Sequence, residues 1–358
     1  MPLLRSATLF VGVETWEPVH IASRSFELLS RLEKAFADAG LSPWTWRIVL
    51  PPTPPELDTE RVELLAELFT KTLDRNTLVH ILSIECDSKL LDKLVDVLER
   101  YPNMYATVRC HSEECIPRLV RAIFMKNSEP TTFTRLSITL GPWIQTPYFP
   151  STTNVGQCDG IAVAFRYVDL FEEAFSSRNA DILLNYVNNI AAKLREVEKE
   201  GGVSVLGADY SLSPWMEESV AALLESLIEA RLPAPGMYAA VRGVNTVIKE
   251  LASSAGLKPM GFNEVMLPVA EDNVLKERVA AGELRVHHLI ALSAVCVAGL
   301  DMVIVKREPS TIAKILRDML SIQEIKSRSL GVRLIPVEDS PGSWIELGRF
   351  GKVPVSYT

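Results

Sequence analysis

The chain has 358 residues, 47% of them hydrophobic, with a mean hydropathy of +0.14, so it has enough apolar material for a large core and no compositional sign of disorder. Its 45 acidic residues outnumber its 37 basic ones, and the formal net charge of −8 argues against a nucleic-acid partner, whose binding needs a positive field. No stretch approaches the roughly 20 uninterrupted apolar residues of a membrane span, so a membrane is not an expected partner either.

The first part of the chain alternates strand-like and helix-like segments. Apolar, β-rich segments predict strands, and segments with apolar residues on one helical face predict helices. The apolar start ends at Glu14 without a small-residue cleavage site, so we interpret it as a first strand and not as a signal peptide, and we expect a cytoplasmic protein. The predicted strands are 7–13, 44–50, 78–84, 104–110 and 134–140, and the predicted helices are 21–39, 58–73, 89–100 and 115–125.

A long irregular segment, 141–160, follows the fifth predicted strand. Its three prolines and three glycines favour a loop, and loops of this length in compact domains are commonly lids, binding loops or hinges. Its aromatic and polar side chains suit a substrate cover, and an inert folded loop is the alternative. These side chains are Trp143, Tyr148, Phe149, Asn154, Gln157, Cys158 and Asp159.

The second part of the chain continues the alternation. The predicted strands are 161–167, one that begins at 203, 263–269, 302–306 and 332–337. The predicted helices are 170–175, 180–200, 214–230, 237–255, 273–280, 287–298 and 309–320. The tail can add a short hairpin. About ten strands with helices between nearly every pair favour a parallel arrangement. No linker divides the chain, so we predict one α/β domain over residues 1–358.

The stretch 203–220 delivers polar side chains to the end of a predicted strand. Asp209, Ser211 and Ser213 follow one another at a spacing of two, so on extended backbone they project to one face. In one interpretation Asp209 binds a cation or acts as a base, and the serines orient a substrate. In the other, Ser213 caps a helix that begins at Pro214, and Asp209 pairs with an arginine.

Acidic residues also follow the predicted strand 263–269. Glu271 and Asp272 could bind Mg²⁺ or Mn²⁺ through their oxygen atoms or supply acid–base catalysis. Alternatively, they stabilise the N-terminus of the helix 273–280. Asp301 lies within an apolar run, where an unpaired carboxylate is costly, so it needs a partner. Arg5 is a candidate, and such a pair at the end of a barrel opposite the site would be structural.

Five cysteines occur at irregular spacing and without a CxxC motif, which argues against a disulfide scaffold or a zinc knuckle. One group of residues at the end of the predicted strand 104–110 offers soft metal ligands, although a zinc site there would need ligands from elsewhere in the chain. The group consists of Cys110, His111, Glu113, Glu114 and Cys115.

Three blocks of the sequence carry a recognisable pattern. They are GADYSLSPWMEESVAALLE at 207–225, the region 267–305 with LPVAEDNVL, AGEL and LIALSAVCVAGLDMVIV, and the region 332–355 with VRLIPV and IELGRFGKVPV. Together with LRSATLFVG near the start, these blocks resemble the family known as domain of unknown function 711. The match is best over roughly 203–355, and the middle segment PYFPSTTNVG is similar to an archaeal-type branch.

The resemblance implies an α/β barrel of about ten strands of the kind found in pyruvate formate-lyase, without supplying a reaction. That fold suggests glycyl-radical chemistry, which places a radical glycine in an RVxGY-like setting near the C-terminus. The nearest text here is LGRFGKV, and no two cysteines are adjacent, so we expect no glycyl radical. Fold analogy alone does not establish function.

Two classes of function therefore remain open. In the first, the protein is an enzyme acting on a small polar metabolite at a shared mouth of the barrel, where Asp209 and Glu271 are catalytic and Ser211, Asn154 and Asp272 bind substrate. In the second, it is a non-catalytic protein that binds a small ligand or assembles on an enzyme-like barrel. A divalent metal suits the acids in either case, and the apolar balance together with the absence of a charged tail favours a homo-oligomer.

Overall fold

The computed structural model describes residues 3–74, 76–296 and 299–358, and its largest element is a nine-stranded sheet. The strands are β1 (Leu3–Phe10), β2 (Ser42–Val49), β3 (Thr77–Glu85), β4 (Met104–Cys110), β5 (Leu136–Leu140), β6 (Gly160–Phe165), β7 (Val205–Asp209), β8 (Gly299–Lys306) and β9 (Leu330–Val337). In space they follow the order β7-β6-β1-β2-β3-β4-β5-β9-β8. A separate antiparallel hairpin of β10 (Trp344–Glu346) and β11 (Lys352–Pro354) confirms the hairpin predicted for the tail.

The sheet consists of three parallel groups, and the two outer groups run in the opposite direction to the central one. Strands β1 to β5 are parallel to one another, as are β6 and β7, and β8 and β9. The groups meet in antiparallel pairs, β1 with β6 and β5 with β9. The prediction of parallel strands is thus correct within each group and wrong at the two junctions. One reason is that the connection between β5 and β6 contains no crossover helix, so β6 need not run in the direction of β5.

Helices connect most of the strands and cover one face of the sheet with an apolar core. In α1, Pro18 occupies the first turn, and the predicted apolar face, including Leu28, Leu32 and Phe36, is buried. The helices are α1 (Pro18–Asp38), α2 (Thr59–Thr72), α3 (Leu91–Arg100), α4 (Ile116–Leu119), α5 (Pro130–Phe133), α6 (Val168–Ser177), α7 (Asp181–Gly201), α8 (Val220–Ile228), α9 (Met237–Ser254), α10 (Asn273–Ala280), α11 (Val286–Leu292) and α12 (Pro309–Lys326). Throughout the described ranges, every helix is too short or too polar to cross a membrane. The predicted end of helix 287–298 reaches residues outside those ranges.

Helix α8 begins later than the sequence predicts. Its N-cap is Ser219, whose hydroxyl accepts a hydrogen bond from Ala222 N at 2.9 Å. Ser213 therefore does not cap a helix, and Pro214 does not start one. The backbone around Pro214 is extended and irregular instead, and the Pro214 carbonyl accepts a hydrogen bond from Arg5 Nη1 at 2.9 Å. Tertiary hydrogen bonding thus overrides the local helix-start signal.

The segment 258–266 lies along the edge of β7 but is not a regular strand. Backbone hydrogen bonds join Ala208 to Lys258 and Met260, and Leu212 to Glu264 and Met266, at 2.8–3.2 Å. The ladder is interrupted because the amides of 262 and 263 bind the side chain of Asp209. The predicted strand 263–269 is therefore not formed as such, and among the described residues no strand pairing joins the two edges of the sheet, β7 and β8, into a ring.

The opposite face of the sheet, here called the inner face, carries polar side chains and is covered by the loop 141–160. Its polar residues come from alternating positions in five strands: Ser6, Thr8, Thr45, Arg47, His80, Thr107, Ser137 and Thr139. The loop is buried over much of its length, with Thr146, Thr153 and Asn154 fully buried. It therefore fills the inner face, which a mobile surface lid would not do. Hydroxyl groups of the strands and Arg47 donate hydrogen bonds to the backbone of the loop. The Pro147 carbonyl, for example, accepts from Ser6, Thr8 and Arg47.

Candidate functional site

A cavity of about 50 Å³ lies between the inner face and the buried loop, near the starts of strands β1 to β4. That is room for a few water molecules, because one water needs about 10–15 Å³ on the same measure. We call this cavity the arginine pocket. Its charged lining consists of four guanidinium groups and two carboxylates, those of Arg5, Arg47, Arg333, Arg349, Glu271 and Asp301.

Glu271 joins two of these arginines. It follows Pro268 in a short 3₁₀ turn, Val269–Glu271, and only 6% of its surface is exposed. One carboxylate oxygen pairs with Arg5, and the other pairs with Arg333 Nη2 at 3.4 Å. Burial opposes ionisation, but the surrounding guanidinium groups outweigh it and lower the pKa of Glu271. Glu271 is therefore an ionised group that orders two cations.

Asp301 pairs with Arg333, not with Arg5 as predicted. Arg333 Nε and Nη2 donate to the two Asp301 oxygens at 2.6 and 2.9 Å, and Nη1 donates to the Thr134 carbonyl at 3.1 Å. Arg5 is already engaged by Glu271. The expectation that Asp301 lies at the end opposite the site is also wrong, because Asp301 borders the arginine pocket. Burial raises the pKa of Asp301, although the Arg333 charge opposes this shift.

Arg47 is a buried guanidinium of the pocket that has no carboxylate partner in the described chain. Its Nε donates to Thr45 Oγ1 at 3.1 Å and its Nη1 donates to the Pro147 carbonyl at 2.7 Å. Within the described ranges no carboxylate lies within 4.0 Å of this guanidinium. Burial and the neighbouring Arg5 lower the pKa of Arg47 to about 9, so the group remains cationic at neutral pH. A guanidinium has five N–H donors, and two account for the bonds above.

Aromatic rings form the remaining walls of the pocket. The Arg5 guanidinium carbon lies 6.0 Å from the ring centres of Trp44 and Trp215 and 5.9 Å from that of Tyr148. The Arg47 guanidinium carbon lies 5.1 Å from the ring centre of Phe149. Rings at these distances stabilise the cations through their electron-rich faces.

Asp209 lies next to the pocket but does not border it. Its Oδ1 accepts from Ser211 N, Ser211 Oγ and Asn263 N at 2.6–3.0 Å, and its Oδ2 accepts from Thr146 Oγ1 and Phe262 N at 2.7 and 2.8 Å. Burial raises the pKa of Asp209, although these hydrogen bonds oppose the shift. The carboxylate thus ties the loop 141–160 and the segment 258–266 to the end of β7.

Both predicted catalytic acids are near Tyr148, so they lie at the same end of the molecule. The Tyr148 hydroxyl donates to the Ser211 carbonyl at 3.1 Å, close to Asp209. Its ring faces Arg5, the partner of Glu271. Only Glu271 of the two acids reaches the cavity. The catalytic roles of Asp209 and Glu271 stay predictions.

Two predicted substrate-binding residues are engaged with the protein itself. Ser211 Oγ donates to Asp209 and accepts from Glu264 N at 3.2 Å. Asn154 Nδ2 donates to the carbonyls of Val11 at 2.8 Å and Cys158 at 3.0 Å. Val11 follows the end of β1, whereas the pocket lies near its start, so the structure does not bring Asn154 to the pocket.

Asp272 stabilises the starts of two helices. Its Oδ1 accepts from Val274 N and Leu275 N at 3.0 and 3.2 Å as the N-cap of α10. Its oxygens also accept from Ser219 Oγ at 2.6 Å and from Ala221 N at 3.0 Å at the start of α8. These four donors agree with the alternative interpretation of Asp272 as a helix cap. Substrate binding by Asp272 stays a prediction.

Sequence reasoning missed Arg47 and Arg333, which carry much of the pocket's charge. Each is an arginine within an apolar strand, in TWRIV and GVRLI respectively. A charged residue in such a run is rarely buried without a partner. That rule drew attention to Asp301, and the same signal would have found both arginines.

Among the described residues, one group of three side chains has the composition and spacing of a soft metal site: Cys86, His111 and Cys115. Cys86 is the additional ligand from elsewhere that the sequence required. Its sulfur is bonded to that of Cys115, a disulfide that the sequence did not predict. Cys110 lies outside this group, and burial raises the pKa of its thiol to about 11.

Known proteins give a consistent picture of relatedness. A model of the protein family described as "Uncharacterised ACR (DUF711)" matches residues 27–348. A UPF0210 protein of Pyrobaculum arsenaticum is 30% identical over 272 residues, 71% of this chain and 60% of the relative. UPF0210 proteins of Pyrobaculum aerophilum and Methanocaldococcus jannaschii are 35% and 32% identical over 45% and 48% of this chain.

The matched parts of these relatives are shorter than the relatives themselves. They cover 37% of the P. aerophilum protein and 41% of the M. jannaschii protein, so the chain spans between about a third and three fifths of the relatives' lengths. The family match, by contrast, extends over most of this chain. The chain therefore belongs to the DUF711 family, a family of uncharacterised proteins.

Proposed function

We propose that the arginine pocket binds a small anionic metabolite bearing a carboxylate or phosphate group. The observation that carries this proposal is Arg47, a buried guanidinium that borders a cavity without a carboxylate partner in the described chain. An isolated buried charge is costly unless an opposite charge compensates it. A bound anion would supply that charge.

The charge balance of the lining supports an anionic ligand. Four guanidinium groups face two carboxylates, and both carboxylates already pair with Arg5 or Arg333. Arginine binds planar carboxylates and phosphates through parallel N–H donors. The volume restricts the ligand to a few non-hydrogen atoms unless the pocket opens, and the aromatic walls suit a short apolar portion of the ligand.

Ligand-dependent thermal stabilisation tests this proposal. The purified protein is heated with inorganic phosphate, acetate, malonate or succinate, and chloride at equal ionic strength serves as the reference. A ligand at 100 times its Kd stabilises the folded state by about 2.7 kcal/mol, so at least one of these anions is expected to raise Tm in a saturable way. Native mass spectrometry of the purified protein tests for a co-purified anion.

A matched pair of variants separates binding from stability. Arg47→Met removes the buried guanidinium that lacks a carboxylate partner, while the exposed Arg349 stays in place. Arg135→Met is the control, because Arg135 is also buried but donates to the carbonyls of Leu98, Tyr101 and Met104. Both variants should be less stable, and only Arg47→Met should lose the anion response. An equal response in both variants would exclude Arg47 as the anion ligand.

Catalysis in the same pocket is the second candidate, and the two acids favour it. The pKa of Glu271 is lowered and that of Asp301 is raised, and both contact Arg333. Carboxyl groups whose environments separate their pKa values in this way can serve as base and acid. The expected result is turnover of a small polar anion that Glu271→Gln abolishes while circular dichroism shows an intact fold. Binding without turnover across such a panel would favour the non-catalytic alternative.

We propose further that the sheet approaches a closed barrel like that of pyruvate formate-lyase. Supporting this, the segment 258–266 runs parallel to β7. Pairing with β8 as well would unite β6, β7, this segment, β8 and β9 into a second parallel group of five strands. Cys296 Sγ donates to the Val265 carbonyl at 2.7 Å, and Lys326 pairs with Glu264 at 3.3 Å; both partners come from elements that flank β8 and β9. An experimental structure with regular hydrogen bonds on both sides of this segment would establish the closure.

A further inference from the structure

The ends of β3 and β4 bring two cysteines and a histidine together. Cys86 follows β3 directly, His111 follows β4 directly, and Cys115 ends the 3₁₀ turn Glu113–Cys115. The ligand atoms of the three side chains all lie within 4.8 Å of one another. Both cysteines are buried, whereas His111 is exposed and free to adjust. The two sulfurs are joined as a disulfide.

We propose that reduction of the Cys86–Cys115 disulfide creates a binding site for a thiophilic metal ion such as Zn²⁺, held by both thiolates and by His111. Sulfur and imidazole nitrogen are the preferred zinc ligands. Two sulfurs and one nitrogen leave the fourth tetrahedral position to water or an external ligand. This site is separate from the arginine pocket, which lies at the opposite ends of β3 and β4 near Leu78 and Tyr105.

The spacing of the groups suits such an ion after a small change. With Zn–S of about 2.3 Å and Zn–N of about 2.0 Å, tetrahedral ligand atoms lie about 3.5–3.8 Å apart. His111 Nδ1 is 3.9 Å from Cys115 Sγ, close to that range. Once their bond is broken, the two sulfurs need to separate to about 3.8 Å. Rotation of the cysteine side chains can supply this movement without moving the strands.

The chemistry balances with an external dithiol as reductant. Exchange breaks the Cys86–Cys115 bond and transfers two electrons and two protons to the protein, giving two thiols, while the dithiol becomes a cyclic disulfide. Zn²⁺ then binds both sulfurs as thiolates, so two protons leave for solvent, and His111 binds as the neutral imidazole. Reoxidation expels the metal. The disulfide and the metal are therefore mutually exclusive states of one site.

The neighbouring side chains do not offer an equally good set. Cys110 is adjacent to His111 in sequence, but its Sγ donates to the Ser112 carbonyl at 3.4 Å and lies outside the group within 4.8 Å. Glu113 pairs with Arg317 at 3.4 Å, on the side of α12. The proposed ligands are therefore the two disulfide-bonded cysteines and the His111 imidazole.

Cobalt titration of the full chain tests this proposal. The protein is reduced with dithiothreitol, freed of it by anaerobic gel filtration, and titrated with CoCl₂. We expect one Co²⁺ per chain, with a thiolate-to-cobalt charge-transfer band and with d–d bands of tetrahedral intensity that equimolar ZnCl₂ removes. The unreduced protein is expected to show no such bands. A reduced protein without stoichiometric Co²⁺ binding would overturn the proposal.

Variants identify the ligands. Cys86→Ser and Cys115→Ser should each abolish the charge-transfer band, and His111→Ala should weaken Co²⁺ binding at least tenfold. Cys158→Ser is the matched control, because Cys158 is an exposed thiol outside the cluster, and it should behave like the parent. Circular dichroism compared with the reduced parent confirms folding, since that parent also lacks the disulfide. Binding that survives either Cys86→Ser or Cys115→Ser, or that is unchanged in His111→Ala, would refute the assignment.

Discussion

Substitution of Asp209 by asparagine distinguishes a structural carboxylate from a catalytic one. Asp209 is fully buried, and five donors occupy its two oxygens. Asparagine keeps the shape but offers one acceptor oxygen and one NH₂ group. We expect the variant to lose stability while the arginine pocket keeps its ligand response, because Asp209 does not line that pocket.

The magnitude follows from the hydrogen bonds. The best fit places the amide oxygen at the position of Oδ1, which keeps the three donors there. The NH₂ group then faces Phe262 N, a backbone donor that cannot rotate away, and the Thr146 hydroxyl, which can turn to accept. One unsatisfied buried N–H costs about 1–3 kcal/mol, and neutral bonds replace charge-assisted ones, whereas removing a buried charge offsets part of the loss. We expect a net loss of about 2–3 kcal/mol.

Urea unfolding followed by tryptophan fluorescence measures this loss. Asp318→Asn on α12 is the control, because Asp318 is exposed and such surface changes usually stay within about 0.5 kcal/mol. An unchanged urea midpoint for Asp209→Asn, combined with a lost anion response or lost turnover, would refute the structural interpretation. It would restore Asp209 as a catalytic candidate.

Three further outcomes can be measured. Glu271→Gln should lower the free energy of unfolding by about 3–5 kcal/mol at neutral pH, as expected when one partner of a buried ion pair is removed. The pKa of Glu271 is lowered in the folded state. The stability difference from the parent should therefore shrink as pH falls below the ordinary carboxyl value of 4.5 and towards the folded pKa. Asp272→Ala should cost about 1–4 kcal/mol in urea unfolding, since it removes acceptors from the starts of α8 and α10 and one cap is worth about 0.5–2 kcal/mol. Self-association should appear in light scattering as a mass above 39.7 kDa, and a single-chain mass at all concentrations would contradict it.

Local periodicity was sufficient to predict most of the elements. Nine of the predicted strands have counterparts in the sheet, because continuous apolar runs between helical segments are a strong signal. Family resemblance, and not periodicity, indicated the DUF711 family. The segment 263–269 has the composition of a strand, but side chains from other parts of the chain accept from the amides of Asn263, Glu264 and Val265. No local pattern encodes that competition.

The site was harder to predict because it depends on contacts between distant parts of the chain. Glu271 was identified from its place after an apolar segment, and it does reach the cavity. Asp209 gave an equally strong signal, yet its donors come from 146, 211, 262 and 263. Sequence alone cannot tell an acid that faces a cavity from one that backbone amides enclose.

The buried loop that joins β5 to β6 is in direct contact with Arg47 of the arginine pocket. The Pro147 carbonyl accepts from Arg47 and also lies within 3.5 Å of the hydroxyls of Ser6 and Thr8. Arg47 thus holds the loop with one N–H group while others remain for an anion. If the proposed anion binds Arg47, we expect its binding to be coupled to the order of residues 143–154. Amide exchange in that segment should then become slower when the anion is added, and this change would report occupancy of the pocket.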